Sequence, residues 1–590
     1  MPAEGSVVIF LNHNVASTAF KERRFCLILV LCTSNNFHSS CVFPIRIIAV
    51  PNPNNPRIFA VFNAILRQWA MIVCTLLLTL TTYAALHDLI TPWAIAPWLI
   101  LVIVGILDLS QKTHAVRHNY PIIGNMRYLL EDLRPAIRQY FFEGDHEKVP
   151  FSRSQRSMVY RRARNIAADK AFGTLDNLYS PDHEFISHSI TPVSVDPTKL
   201  RINLGGPECT QPYSASLMNI SAMSFGSLSA NAIRALGRGA KRGGFALDTG
   251  EGGLSRYHEA EGSDIIWEIG SGYFGCRNED GTFSPDLFKV NATKPQVKAL
   301  LLKLSQGAKP GHGGILPSHK VSPEIAAARG VPVGVDCVSP ASHSAFSGPL
   351  GMMEFIGQMR ALSGGKPVGF KLCIGRPIEA AALVKAMLHA QILPDFIVID
   401  GSEGGTGAAP EEFSDNMGMP LRDGLILMHN LLRGAGIRER IKLGCSGKII
   451  SGFDIVRLLA LGADYFNVAR GFMFSLGCIQ AQSCGSNRCP TGIATQDPIR
   501  QKALDVEDRS HRVTNFQRNT LQSVAEILGA AGIDSSDELT AERIQKRVSD
   551  SKIVTYAALY PFLHHGELLN GHSMNTEYRE LWASARHDTF

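Results

Sequence analysis

Several features of redox and secreted proteins are absent from this sequence of 590 residues. No G-x-G-x-x-G run leads from a predicted strand directly into the helix of a βαβ unit, so no dinucleotide-binding site is predicted. No nucleic-acid recognition motif and no internal repeat is visible. The twelve cysteines lack the paired spacing of secreted disulfide frameworks, which favours a reducing, cytosolic compartment.

Net charge is also small over most of the chain. It is +6 overall, and residues 112–170 alone hold twelve Lys or Arg against six Asp or Glu, so the remainder is nearly neutral. Because this basic segment follows a hydrophobic region, it favours an anionic membrane surface over nucleic acid as its partner. The hydrophobic fraction of 45% and the 53 glycines suit a large α/β core together with a membrane-bound part.

Two stretches of eighteen residues, 69–86 and 90–107, contain no charged side chain. Each is just long enough to cross the hydrocarbon core of a bilayer as a helix. Arg67 precedes the first, and Lys112 and Arg117 follow the second, so the positive-inside rule places both outer ends in the cytoplasm. The pattern predicts a transmembrane hairpin that anchors a cytoplasmic catalytic domain; two buried helices of a soluble domain are the alternative.

The segment from residue 110 to about residue 191 is polar and basic. Residues 126–142 have the apolar spacing of a helix, which we expect to break at Pro135 because proline lacks an N–H and its ring clashes with the preceding turn. Arginines follow that could contact lipid headgroups or phosphate, or form an ordinary solvated face; they are Arg153, Arg156, Arg161, Arg162 and Arg164.

Beyond Pro192, short apolar runs that end in Gly, Ser or Thr alternate with helical stretches. This alternation is typical of βα units around a parallel sheet. Eight such strands predict an α/β fold, a (β/α)8 TIM barrel with its active site at the C-terminal ends of the strands. The predicted strands are residues 218–223, 245–249, 265–269, 306–309, 368–373, 396–400, 441–445 and 465–468.

Glycine-rich loops follow three consecutive predicted strands. They are residues 401–407, residues 445–448 and residues 469–471. Glycines at these places let backbone N–H groups approach a phosphate closely. In an earlier strand, Lys371 is expected to point into the barrel, where it must be paired and could lie under a flavin ring; a snorkelling lysine at a sheet edge is the alternative.

A second group of polar residues lies at the predicted barrel mouth. Thr249 and Glu251 end the second strand, and Lys309 and Lys320 follow the fourth. The two lysines could hold carboxylates, while Glu251 could orient an amine or take part in proton transfer. These residues predict a site for a small anionic substrate, although each of them alone could be a structural loop residue.

Residues 471–496 contain Cys478, Cys484 and Cys489 within twelve residues, and Pro490 follows the last cysteine. Thiolates clustered in one loop can bind iron or zinc, and a proline after the last cysteine is typical of iron–sulfur cysteine runs. The loop contains no histidine to complete the four-ligand site that structural zinc prefers. Three reduced cysteines in a core loop are the alternative.

Five segments carry a family resemblance. They read NISAMSFGSLS, ALDTGEGG, SQGAKPGHGGILPSHKVSPEIA, GSEGGTGAAP and CIQAQSCGSNRCPTGIATQ. Together they resemble the FMN-binding synthase domain of glutamate synthase over about residues 196–535, and most of all the short, membrane-anchored members of that family. The C-x5-C-x4-C spacing is that of the family's 3Fe-4S ligands, which implies that role for Cys478, Cys484 and Cys489.

The resemblance also implies a site and a reaction. Glu251 and Lys320 look like catalytic residues that face 2-oxoglutarate, with Lys309 also binding substrate. Electrons would reach FMN through the cluster; ammonia and 2-oxoglutarate would form 2-iminoglutarate, and hydride from flavin N5 would reduce it to L-glutamate. The expected cofactor-binding residues are Ala222, Met223, Ser224, Thr249, Glu268, Lys371, Gly404, Gly405, Ser446, Gly447 and Gly471.

The chain departs from the family in several places. It opens Met-Pro-Ala, so no amidohydrolase with an N-terminal cysteine is expected, and no Gly-repeat β-helix is visible. A separate amidotransferase subunit or free ammonia would supply nitrogen, and a ferredoxin-like protein would supply electrons. A family acidic residue is His312 here, and the arginine of SGRFG is Tyr273, with Arg277 four residues later, which leaves a related 2-oxo acid open as substrate.

Two classes of function remain. One is an FMN and iron–sulfur oxidoreductase that makes glutamate or reduces a related imine at the membrane; the other is an electron-transfer or scaffolding subunit of a membrane redox complex. An FMN enzyme that oxidises a hydroxy acid is disfavoured, because it would need a base histidine by the flavin and would leave the cysteine loop unexplained. The predicted domains are an irregular tail (1–60), the transmembrane hairpin (61–110), a basic helical collar (111–195), the barrel (196–535) and a helical C-terminal tail (536–590).

Overall fold

The computed structural model describes residues 56–147, 150–166, 171–570 and 574–590. The irregular tail predicted for residues 1–60 lies, up to residue 55, outside the described residues. The chain divides into two compact units, Met1–Glu131 and Asp132–Phe590, which are described one at a time.

The first unit contains two long apolar helices. Helix α1 (Pro56–Leu86) includes the apolar stretch Arg67–Leu86, and α2 (Ala96–Ser110) ends the apolar stretch Pro92–Ser110. Both stretches are long and apolar enough to cross a membrane, and 11% of each is buried. Their length and composition are therefore consistent with a membrane anchor at the predicted place.

Two shorter helices follow, α3 (Ala115–Asn119) and α4 (Gly124–Ile137). Pro135 does not break α4 as predicted, because the helix continues to Ile137 and then widens into the π-helical turn Arg138–Phe142. Proline removes only one N–H from the helical ladder, and a local change to wider hydrogen bonding is a common accommodation.

The second unit is built around a closed barrel of eight parallel strands, β4 to β7 and β10 to β13, so the predicted TIM barrel is confirmed. Around the barrel the neighbours are β4, β5, β6, β7, β10, β11, β12 and β13, and β13 pairs with β4. The strands are β1 (Glu184–Ile186), β2 (Arg201–Leu204), β3 (Tyr213–Ser216), β4 (Met218–Ile220), β5 (Leu247–Asp248), β6 (Ile265–Ile269), β7 (Val297–Lys303), β8 (Ile315–Leu316), β9 (Cys337–Val338), β10 (Val368–Leu372), β11 (Phe396–Asp400), β12 (Lys442–Ser446), β13 (Tyr465–Val468), β14 (Ile544–Ser549) and β15 (Lys552–Thr555).

The predicted fourth strand, residues 306–309, is wrong. The fourth barrel strand is β7, which lies earlier in the chain and pairs with β6 on one side and β10 on the other. A barrel strand is buried on both faces, which the apolar run of β7 permits. Residues 306–309 belong to the segment SQGAKPG, whose polar and glycine residues form the loop after that strand.

The hydrophobic core has two layers. The larger lies between the barrel and its helices, and the smaller fills the barrel interior with side chains such as Ile266, Leu301 and Tyr465. The antiparallel hairpin β2–β3 adds Leu204 and Tyr213 to the inner layer and closes the N-terminal end of the barrel. The polar chemistry of the interior is thereby confined to the C-terminal end of the strands.

Helices cover the outside of the barrel. Sequence-local caps begin several of them; the Ser229 hydroxyl, for example, accepts from Ala232 N–H at the start of α6. They are α5 (Arg153–Ala163), α6 (Ala230–Gly243), α7 (Arg256–Glu259), α8 (Pro285–Ala292), α9 (Pro323–Arg329), α10 (Gly348–Leu362), α11 (Pro377–Ala390), α12 (Glu411–Asn416), α13 (Leu421–Gly434), α14 (Gly452–Leu459), α15 (Arg470–Ser475), α16 (Pro498–Lys502), α17 (Val506–Ala530), α18 (Tyr556–Leu559) and α19 (Thr576–Ser584).

Helix α5 of the predicted collar packs against α17. Asn519 donates to Arg162 O at 2.8 Å, and the guanidinium of Arg162 donates to Thr520 Oγ1 at 3.3 Å. Arg156 pairs with Glu143 at 3.1 Å, and both side chains are 6% exposed. Two of the five arginines considered for lipid contact are therefore buried in the protein: Arg162 joins the collar to α17, and Arg156 is paired within the collar itself.

The C-terminal segment differs from the helical tail that was predicted. Strands β14 and β15 form a hairpin, and β1 joins it to make a three-stranded antiparallel sheet. Glu184 of β1 accepts from Arg422 at 2.5 Å and from Arg457 at 3.1 Å. This buried carboxylate fastens the sheet to the outer helices.

Candidate active site

The charged centre of the barrel mouth is Glu251, in the loop after β5. Lys303, at the end of β7, places its ammonium 2.6 Å from the Glu251 carboxylate and 2.9 Å from Gln306 Oε1. The ammonium of Lys309 and the guanidinium of Arg329 also interact electrostatically with Glu251. Burial opposes ionisation, but the Lys303 ammonium outweighs it and holds the pKa of Glu251 at about 2.

Three cations therefore surround one carboxylate. Lys303, Lys309 and Arg329 are 8%, 2% and 5% exposed. With Glu251 ionised, the group keeps a net charge of +2. Burying this charge without a counter-charge costs free energy. The arrangement can bind a small dianion.

Tyr273, the position of the family arginine, has a structural role here. Its hydroxyl accepts from the backbone N–H groups of Ser344 and Ala345 at 3.1 and 3.0 Å, so its own hydrogen donates to His343 Nδ1 at 3.1 Å. His343 Nε2 therefore carries the hydrogen and donates to Lys303 O at 2.8 Å. This chain of bonds orients the strand end that carries Lys303.

A second charged cluster lies inside the barrel below the mouth. The ammonium of Lys371 is in direct contact with Glu268 Oε2, and these side chains are 4% and 1% exposed. Burial opposes the charged lysine, but the Glu268 and Asp248 carboxylates outweigh it and raise the pKa of Lys371. Lys371 thus points into the barrel and is paired, as predicted from its place in an apolar strand.

Asp248 and Glu268 each keep one oxygen without a partner in the described part of the chain. Asp248 Oδ1 accepts from Gly250 N–H at 2.9 Å, while its Oδ2, Glu268 Oε1 and Asn467 Oδ1 are buried and make no hydrogen bond. Burial, and then the Glu268 charge, raise the pKa of Asp248 to about 8. Unpaired buried polar atoms facing one interior suit a polar ring system such as that of FMN.

The expected phosphate end of the site contains a cation that the sequence prediction did not include. Arg470 begins α15, and its guanidinium donates to Glu403 O at 2.6 Å and lies 4.7 Å from the centre of the Phe151 ring. A Cβ on Gly405 would approach Arg470 Nη1 to 2.7 Å, so a larger residue there would displace the end of the Arg470 side chain. Burial lowers the pKa of Arg470 to about 10, as expected for a cation that a bound phosphate would compensate.

The other expected cofactor residues line the same end of the barrel. The loop after β4, with Ala222, Met223 and Ser224, is held by the buried His258, whose ring nitrogens meet Met223 O at 2.9 Å and Ser255 Oγ at 2.8 Å. Thr249 Oγ1 accepts from Glu268 N–H at 3.1 Å. The strand-end glycine loops contribute Gly404, Gly405, Ser446, Gly447 and Gly471.

The cysteine loop brings its three thiols close enough to interact electrostatically. Burial raises the pKa of Cys478 to about 12, whereas backbone N–H groups of Ala494, Thr491 and Ile493 outweigh burial and lower the pKa of Cys489. The described residues contain no group of three Cys, His, Asp or Glu arranged to hold a single metal ion. Three thiols in one loop still supply the donor chemistry of an iron–sulfur site.

Two other parts of the chain pack against this loop. A Cβ on Gly407 would lie 3.3 Å from Cys484 Cβ, which places the glycine loop after β11 beside the cysteines. From the collar, Tyr160 donates to Cys478 O at 2.6 Å and Gln139 donates to Ile479 O at 2.7 Å. The glycine loop after β11 and the cysteine loop are therefore neighbours.

The predicted substrate residues do not all meet. Glu251 and Lys309 lie together, but the Lys320 ammonium donates to Cys484 O at 2.8 Å and so belongs to the surroundings of the cysteine loop. His312 contacts Gly313 O at 3.0 Å and the edge of the Phe413 ring. Arg277 lies over the Phe274 ring at 5.7 Å.

Sequence reasoning missed Lys303, Arg329, Arg470 and Asp248. Lys303 had a usable signal, since it ends an apolar run just as Lys371 lies within one. The run Gly270 to Gly275 does have the G-x-G-x-x-G spacing and follows β6, but α8 begins only at Pro285. It therefore opens no helix whose N-terminus could hold a pyrophosphate.

Comparisons with known proteins agree with this geometry. The family described as "Conserved region in glutamate synthase" matches residues 193–534. The glutamate synthase large subunit-like protein YerD of Bacillus subtilis is 38% identical over 499 residues, covering 78% of this chain and 94% of its own length. Archaeal-type glutamate synthase (NADPH) of Thermotoga maritima is 36% identical over 323 residues, which are 55% of this chain and 60% of its own length.

Proposed function

The chain belongs to the glutamate synthase family, and we propose that it is an FMN-dependent oxidoreductase that reductively aminates 2-oxoglutarate to L-glutamate. The relatives named as NADPH-dependent synthases extend beyond the matched region, and this chain spans about 60% of the Thermotoga maritima protein. The matched region therefore supports the synthase reaction but does not identify the electron donor.

The group of cations around Glu251 is the observation that carries the proposal. A net charge of +2 matches the two carboxylates of 2-oxoglutarate, and Arg329 supplies a guanidinium that acts on Glu251. Arginine and lysine bind carboxylates through charge-assisted hydrogen bonds, each contributing about 1.5–3 kcal/mol. A substrate with a single carboxylate would leave one of these charges unpaired.

Glu251 and Asp248 have different roles in this reaction. With its pKa at about 2, Glu251 is ionised at neutral pH and is a weak base, so it orients ammonia by accepting its hydrogens and does not remove a proton from it. Asp248 retains its proton at neutral pH because its pKa is raised, and the proton lies on Oδ2, since Oδ1 accepts from Gly250. Asp248 thus offers a neutral donor to the bound ring.

The cofactor site is proposed to hold FMN. Arg470 and the loop with Gly404 and Gly405 would bind the phosphate, while Lys371 and Asp248 would face the ring system. When bound, FMN supplies the hydride that reduces the imine carbon. Glu268 fixes the position of Lys371 through their contact.

We also propose a metal cluster, a source of ammonia and a membrane anchor. Cys478, Cys484 and Cys489 would ligate a 3Fe-4S cluster that accepts electrons from a ferredoxin-like donor. Ammonia would be free or would come from a separate amidotransferase subunit. The apolar stretches Arg67–Leu86 and Pro92–Ser110 would anchor the protein in the membrane with its barrel in the cytoplasm.

An anaerobic half-reaction tests the synthase activity. The full-length protein in detergent, with its flavin reduced by dithionite, is mixed with ammonium and 2-oxoglutarate; flavin reoxidation and glutamate are measured. We expect both, and with pyruvate, which has one carboxylate, roughly ten- to a hundredfold slower reoxidation. Absence of reoxidation with every 2-oxo acid would refute the synthase reaction and favour an electron-transfer subunit.

A further inference from the structure

Lys320 is a buried cation, and no carboxylate of the described residues acts on it. Its side chain is 3% exposed, and its ammonium donates to Cys484 O at 2.8 Å. The carbonyl oxygens of Ala494 and Ser227 lie 3.4 and 3.5 Å away. None of the charged groups that act on it within the described residues is a carboxylate. Carbonyl oxygens satisfy the hydrogens of an ammonium but carry no net charge, so an anion nearby would stabilise a buried lysine of this kind.

Two thiols of the cysteine loop, those of Cys484 and Cys489, interact electrostatically with Lys320. The contact of the Lys320 ammonium with Cys484 O places the cation directly against this loop. A charged Lys320 therefore stabilises anionic sulfur in the loop.

We propose that Lys320 is the counter-cation of the cysteine loop and that it raises the reduction potential of the metal cluster held there. The inference rests on the proposed cluster but not on the synthase reaction. A positive charge near a redox centre stabilises its reduced form, which has one more electron, so the potential rises. Lys320 acts on the cluster without ligating it and is a positioning residue.

The same contacts give Lys320 a second effect on the site. Ser227 follows the loop expected to contact FMN, Cys484 and Ala494 belong to the cysteine loop, and Lys320 itself lies on the segment that carries Lys309. One side chain thus joins three functional loops. Loss of its charge must be separated from loss of this connection in any test.

Lys366 provides a matched control. It is 6% exposed, and its ammonium donates to Ala292 O and Lys294 O, both at 2.7 Å. It precedes β10 and so lies at the opposite end of the barrel from the cysteine loop. Lys320→Gln and Lys366→Gln each remove a buried charge while they retain a hydrogen-bond donor for a carbonyl.

The experiment compares the two variants with the wild type as full-length, anaerobically purified proteins. Iron and sulfide are counted per chain, and the cluster is titrated with redox mediators while its EPR signal is recorded. We expect Lys320→Gln to show a lower midpoint potential, or loss of iron, and Lys366→Gln to match the wild type in both. If both variants lose similar thermal stability and only Lys320→Gln has a lower potential, removal of a buried charge alone does not explain the change in potential.

Two results would overturn the inference, and they differ from failure of the synthase reaction. A Lys320→Gln variant with full iron content and the wild-type potential would contradict the role of the charge. Wild-type protein without iron and sulfide would remove the cluster, and with it the anion assigned to Lys320. Absence of glutamate formation leaves the titration and its interpretation unaffected. If Lys320→Gln does not fold, Lys320→Arg is measured in the same way, and an unchanged potential is then expected because the charge is kept.

Discussion

Lys303 and Glu251 meet at 2.6 Å across the mouth of the barrel, although Lys303 ends β7 and Glu251 follows β5. The ion pair fixes the carboxylate, and Lys309 and Arg329 act on the same carboxylate without an ion pair among the described residues. A pre-formed ion pair beside surplus cations is a suitable receiver for an incoming dianion, because the site does not have to reorganise when the ligand binds.

Arg329→Met should weaken binding of 2-oxoglutarate. Loss of one charge-assisted pair, about 1.5–3 kcal/mol, should raise KM roughly ten- to a hundredfold. Steady-state kinetics with an artificial electron donor give the value, and FMN content and thermal melting check that the variant is intact. Lys289→Met, on the exposed face of α8, is the control and should leave KM unchanged. An unchanged KM in Arg329→Met would exclude contact with substrate.

Arg470→Met should weaken binding of FMN. Its guanidinium is the cation expected at the phosphate, so we expect the dissociation constant of FMN to rise roughly ten- to a hundredfold. Fluorescence of released flavin measures it, and Arg376→Met, an exposed arginine paired with Glu379, is the control. Equal flavin retention in both variants would show that Arg470 has another role.

Cys484→Ser should remove the visible and EPR signals of the cluster while FMN stays bound. Serine oxygen is a poor substitute for thiolate in an iron–sulfur site. Cys209→Ser is the matched control, since its half-buried thiol bonds Gly365 O at 3.3 Å far along the chain from the cysteine loop. Spectra of Cys484→Ser identical to wild type would refute the ligand assignment.

Lys371→Met should strongly destabilise the barrel. Removing one partner of a buried ion pair leaves the Glu268 carboxylate uncompensated, which costs about 3–5 kcal/mol. The double variant Lys371→Met with Glu268→Gln should recover part of this loss, because the stranded charge is gone. Unfolding midpoints of the two single variants and the double variant form the test, and additive losses would contradict coupling between the residues.

Acid should remove the stabilisation that Glu251 provides. The folded pKa of about 2 lies below the ordinary value of 4.5, so this contribution is fully present above about pH 4.5 and is lost as the pH falls toward 2. The Glu251→Gln variant has no carboxylate at this position to protonate, so acid cannot remove this stabilisation from it. The difference in unfolding midpoint between wild type and Glu251→Gln should therefore be constant from pH 8 to 5 and shrink below 4.5, while a difference that grows on acidification would contradict the pairing.

The barrel and its local loops could be predicted from the amino-acid pattern. Seven of the eight barrel strands were found from short apolar runs between glycine-rich turns, since burial on both faces leaves a pattern that neighbouring residues reveal. The fourth strand was predicted too late in the chain, because the polar loop after β7 was taken for the strand instead of the apolar run before it. The grouping of Cys478, Cys484 and Cys489 was also visible in the sequence, because the three residues lie close together in the chain.

The pairing of charges could not be predicted in this way, because it depends on how the chain folds. Glu268 and Lys371 are 103 residues apart and meet inside the barrel, and Arg329 reaches Glu251 from the end of α9. Lys320 follows Lys309 by eleven residues yet turns to the cysteine loop. Electrostatic partnership depends on distance through space, and barrel closure sets those distances by bringing the ends of all eight strands to one rim. A local pattern can place a charged residue at that rim, but it cannot name the residue opposite.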